Sequence, residues 1–120
     1  MEEQSMTLPI TRGLLRQGID PGQPLAAMLR IVEAVQELLA LPDNDFMWTS
    51  WRDAEQALAE VVPELARLRA GQLPERSALV RWFAPTCYLQ EVSISSGWSD
   101  AYIQLAAWFD ELEPRLWPAA

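Results

Sequence analysis

The side chains that carry most enzymatic proton transfer and metal ligation are missing from this chain. It has no histidine and no lysine, and Cys87 is its single cysteine. Without imidazole there is no common general base, no common metal ligand and no usual partner for a serine or cysteine nucleophile. Without lysine, neither Schiff-base chemistry nor a phosphate-loop lysine is open to it. Cys87, between Thr86 and Tyr88, has no histidine to activate it and reads as a partly buried thiol.

Carboxylates remain. Asp43 and Asp45 stand in Pro42-Asp43-Asn44-Asp45, which lacks the alternate spacing and closing glutamate of a calcium loop. Asp110, Glu111 and Glu113 crowd a helix end, where they oppose the helix dipole. They read as a solvated end paired with Arg115, or as a contact surface. No spacing specifies a carboxylate pair acting as acid and base. The residues therefore predict no catalytic set, no cofactor and no intrinsic metal.

The six tryptophans are the unusual feature. Trp82, Trp98 and Trp108 lie in apolar stripes and are expected in the core. Trp48 follows Asp45-Phe46-Met47, and Trp117 sits between Leu116 and Pro118. Aromatic groups ringed by acids have the make-up of a binding hot spot. The candidate partner-binding residues are Asp43, Asp45, Phe46, Met47, Trp48, Glu91 and Trp117. In the competing reading Trp48 and Trp117 are lids on the ends of the fold. Glu91 belongs to a stretch from Trp82 to Trp98 whose mixed composition is not what a plain helix needs. Thr86, Gln90 and Ser95 are further polar groups there.

These residues must be positioned by helices. Apolar residues recur at three- and four-residue spacing over Leu25–Leu41, about Trp51–Ala70, and Trp98–Leu112. Pro42 stops the first stretch. Thr49 or Ser50 is expected to cap the second, with Asp53 and Glu55 in its first turn and Gly71 closing it. Pro63 inside it predicts a kink or break. Pro74 fits the first turn of a short helix that Pro85 stops. Thr86–Ser96 reads as helix because nothing else in the chain offers a strand partner. Ser99 is expected to cap the last helix, and Pro114 to end or bend it. A further short helix over Leu8–Gln17 would close at Gly18, with Ile19 folding back on Leu14. The prediction is an all-α, compact single-domain helical bundle over residues 1–120, with about five or six helices and short connections.

Composition bounds the role. At 120 residues, half of them apolar, one domain with a real core is expected. The formal net charge is −8. That balance disfavours direct binding to nucleic acid or an anionic membrane and suits a basic protein partner. No secretory leader is expected from Met1-Glu2-Glu3-Gln4, and a single cysteine fits a reducing compartment, so the expected location is cytoplasmic. Basic residues that are all arginine suggest a bacterial or phage source. The leading expectation is a small acidic inhibitor that neutralises a basic partner, in its narrower form an immunity-type protein. The alternatives are a structural or adaptor subunit, and a phage-type mimic of nucleic acid that blocks a nuclease. An enzyme relying on carboxylates alone ranks last.

Overall fold

The computed structural model describes residues 8–47, 49, 51–84 and 88–118. About 72% of these are helical, and none is in a strand. The six helices are α1 (Pro9–Gln17), α2 (Pro24–Leu39), α3 (Ala54–Arg69), α4 (Arg76–Phe83), α5 (Tyr88–Ser96) and α6 (Ser99–Leu116). The bundle measures 42 × 32 × 24 Å. None of the described helices is long and apolar enough to cross a membrane.

Helix α2 is the axis of the fold, packed by α1, α3 and α6. That explains why its buried set is wider than one stripe. Met28, Val32, Val35 and Leu39 are enclosed as expected, but so are Ile31, Ala34 and Leu38, while Leu25 and Leu29 are only half-buried. Helix α6 packs on α2, α5 and α1. Its stripe is the expected one: Trp98, Tyr102, Leu105, Phe109 and Leu112 are all buried. Trp82 is buried too, whereas Trp108 only packs against the core from its edge.

Several helix ends differ from expectation. Helix α3 starts at Ala54, and its cap is Asp53, whose carboxylate accepts the Gln56 N–H at 2.9 Å. Gln56 Oε1 in turn accepts the Arg52 N–H at 2.6 Å. This reciprocal pair satisfies two donors at once, and so prevails over the candidates Thr49 and Ser50. Ser99 opens the first turn of α6, behind Trp98 at the cap position. Pro74 precedes α4 instead of entering it. Helix α3 runs unbroken through Pro63. Pro63 and Ala59, whose carbonyl loses its partner, are both exposed, so water can take the missing bond. Pro114 likewise lies within α6.

Helix α1 has no side-chain cap of its own. Glu37 of α2 supplies it from another helix. Its carboxylate accepts the backbone N–H groups of Ile10 and Thr11 at 2.9 and 2.8 Å and the buried Thr11 hydroxyl at 2.9 Å. A carboxylate on free N–H groups at a helix start gains from both the hydrogen bonds and the dipole. Gly18 closes the other end with φ of 78°.

Candidate functional site

The connection between α2 and α3, residues 40–53, is longer than the short turns expected from the sequence. Connections of this length without regular structure are uncommon in compact domains and usually have a function. This one is a built structure. Asn44 is its hub: its amide donates to the Leu38 carbonyl at 2.8 Å, and its side-chain oxygen accepts the Trp98 indole N–H at 2.9 Å. The Asp45 N–H donates to Ser96 Oγ at 2.8 Å. The Asp45 carboxylate accepts the Met47 N–H at 2.9 Å, a local turn that holds the apolar tip. Downstream, the Thr49 N–H and hydroxyl both donate to the Phe46 carbonyl, and the Trp51 N–H donates to Thr49 Oγ1 at 3.1 Å. Trp51 is 1% exposed and meets Tyr88 edge-on at 4.8 Å, which fixes the end of the loop in the core.

On this frame Phe46 packs inward against the core, while Met47 projects with 75% of its surface exposed. Asp43 is exposed and Asp45 half-exposed. Asp45 lines a shallow cleft, with Arg52 and Asp53 on the α3 side, and Asp43 precedes Asp45 by two residues. Asp100, in the first turn of α6, lies two residues beyond Trp98 at the same end of the bundle. The structure thus brings together Asp43, Asp45, Phe46 and Met47. Trp48 lies outside the described residues, as do Thr86 and Cys87, so Met47 is the apolar group on which the patch stands.

Two candidates do not join it. Glu91 is half-buried in the first turn of α5, about 7 Å along the helix axis from Ser96, where α5 meets the loop. Trp117 is at the far end of α6, an 18-residue helix that spans about 27 Å. Its indole N–H donates to the Pro74 carbonyl at 3.1 Å, and its ring lies 6.3 Å from that of Phe109. Trp117 is therefore a lid on the opposite end of the core.

Sequence reasoning missed Asn44, Ser96 and Asp53 as builders of the site. The Pro-Asp-Asn-Asp run signals a turn, but no local pattern reveals that Asn44 meets Trp98 across 54 positions. Replacing Asn44 with Ala is expected to cost about 2 kcal/mol in urea unfolding. It deletes two hydrogen bonds and leaves the Trp98 donor without its partner, while the Leu38 carbonyl keeps the Leu41 N–H at 3.3 Å. Faster amide exchange at Asp45 and Met47 should accompany the loss. A change below about 0.5 kcal/mol would mean the loop is held by other means.

Elsewhere, four of the carboxylates are interleaved with arginines. Glu33, Glu60, Glu64 and Glu113 each pair with an arginine. Among the described residues there is no group of three or more side chains of metal-binding type. Comparison with known protein families, with curated proteins and with solved structures finds no match to this chain.

Proposed function

We propose that this chain works by binding, and that the loop of residues 40–53 docks a basic partner protein. The observation that carries the proposal is Met47: a large apolar side chain, three-quarters exposed, on a loop that three hydrogen bonds through Asn44 and Asp45 fix to the scaffold. A fixed apolar tip loses little freedom on binding, and Asp43 and Asp45 beside it attract positive charge. The form that fits best is an inhibitor or immunity-type neutraliser. The interleaved arginines argue against a nucleic-acid mimic, which needs a continuous acidic face.

The test is a photo-crosslinking amino acid at position 47 in cells of the source organism. A crosslink to a protein through a basic segment is expected. Met47→Asp should weaken binding of that purified partner by about 2 kcal/mol, roughly 30-fold, chiefly through faster dissociation. If position 47 crosslinks no partner, or the variant binds as tightly as the unaltered chain, the docking role is wrong. Loss of the partner's own activity on binding marks a neutraliser. An unaffected partner within a stable assembly marks an adaptor.

A further inference from the structure

The loop is not the only charged surface with an apolar tip. Helix α1 turns Arg12, Leu15 and Arg16 to solvent, a spacing that sets all three on one face. Leu15 is 40% exposed. Helix α1 contains no acid, and among the described residues neither arginine has an ion-pair partner. Five other arginines, Arg30, Arg67, Arg69, Arg76 and Arg81, are paired, and of the remaining two, also without an ion pair among the described residues, Arg52 stands at the loop and Arg115 at the far end of α6. The chain therefore carries two patches of the same design and opposite sign: two arginines around Leu15, and two aspartates beside Met47.

Their dimensions match. Residues at i and i+4 on a helix are about 6 Å apart. Asp43 and Asp45 are two residues apart in a loop, a span of at most about 7 Å. The two patches belong to elements on different partners of α2: α1 packs on it directly, and the loop leads into α3. No ion pair joins them within one molecule.

We propose that the α1 face of one copy docks on the loop of a second, so that the loop's resting occupant is this chain itself. This rests on the docking reading of the loop and adds its regulation: self-association hides Met47 until a better partner displaces the neighbour. Patches this small place the contact in the weak, transient class, below about 1,200 Å². Charge sets its conditions. Two copies of net charge −8 repel as wholes. At 0.01 M salt the screening length of about 30 Å spans the 42 × 32 × 24 Å molecule, so repulsion wins. Near 0.15 M it is about 8 Å, and only the facing patches interact. At 1 M it is about 3 Å, and they too are screened. Association should peak at intermediate salt.

The experiment is sedimentation velocity across protein and salt concentration, with two variants. In the first, Arg12→Glu and Arg16→Glu reverse the α1 face. In the second, Asp43→Arg reverses one acid, and Asp45→Asn removes the other charge while keeping an acceptor for the Met47 N–H. All four substitutions lie outside the core, and circular dichroism confirms that the helices persist. The unaltered chain should self-associate most at intermediate salt. Each variant alone should lose association about tenfold or more, and an equimolar mixture of the two should regain it. A chain that stays monomeric to about 1 mM, variants that associate unchanged, or a mixture that fails to recover would each overturn the inference. The position-47 crosslink separates the two readings. A crosslink to α1 of a second copy supports self-association. A crosslink to a foreign protein from a chain that stays monomeric overturns it and leaves the docking loop standing.

Discussion

Trp51→Ala is expected to lower unfolding free energy by about 3–5 kcal/mol, the ordinary cost of deleting a large enclosed aromatic. Trp51 is 1% exposed and packs edge-on against Tyr88. Against a typical total of about 5–15 kcal/mol, that loss is a large fraction of the whole. Trp51→Phe should behave differently. The Trp51 indole N–H is buried and has no hydrogen-bond partner among the described residues, unlike those of Trp98, Trp117 and Trp82. An unmet buried donor costs about 1–3 kcal/mol. Removing it offsets most of the smaller cavity that phenylalanine leaves, so the net change should fall within about 1 kcal/mol. Urea unfolding of the two variants measures both values. A Trp51→Phe loss above about 2 kcal/mol would show that the donor is satisfied, for instance by an enclosed water.

The second large effect is expected at Glu37. Glu37→Ala should cost about 2–4 kcal/mol, because it leaves two N–H groups at the start of α1 without their acceptor and the enclosed Thr11 hydroxyl with only the longer bond to the Ala34 carbonyl at 3.4 Å. Glu37→Gln keeps one acceptor oxygen and should cost about half as much. The damage should be local at first. Helix α1 has nine residues, with Gly13 in its middle, and such a helix is marginal unless docked. Trypsin should then cut after Arg12 and Arg16 well before the rest of the bundle opens. If cleavage there is no faster than in the unaltered chain, Glu37 does not hold α1 in place.

The comparison of sequence with structure divides along physical lines. Periodicity located α2, α3 and α6, while α1, α4 and α5 rested on glycine and proline signals and on the lack of a strand partner; for α6 it named the buried stripe residue by residue, because α6 offers the core one continuous side. It under-read α2, since a helix packed from three directions buries residues such as Ile31 and Ala34 that lie off the strongest stripe. Caps were legible as residue types but not as choices. Thr49, Ser50 and Asp53 all suit a helix start, and the reach of Gln56 back to Arg52 decides among them. Pro63 does not break α3, where an exposed position lets water replace the lost bond. The Asp43–Met47 part of the candidate site was visible as bulky apolar groups beside acids. The members set by long-range contact were not: Trp117 looked like a second anchor until the Pro74 carbonyl claimed its indole.

The bonds that fix the loop also set when its surface comes into being. Asp45 reaches Ser96 across 51 positions, and Asn44 reaches Trp98 across 54. Closing such spans is slow and entropically costly compared with forming the helices, whose contacts are local. The α2–α3 hairpin can assemble from the first seventy residues alone, yet it would present an untethered loop. Only when the turn between α5 and α6 has been made and docked does Met47 stand in its final place. A growing or partly unfolded chain therefore lacks the finished surface, which is complete only when the last third of the chain has folded.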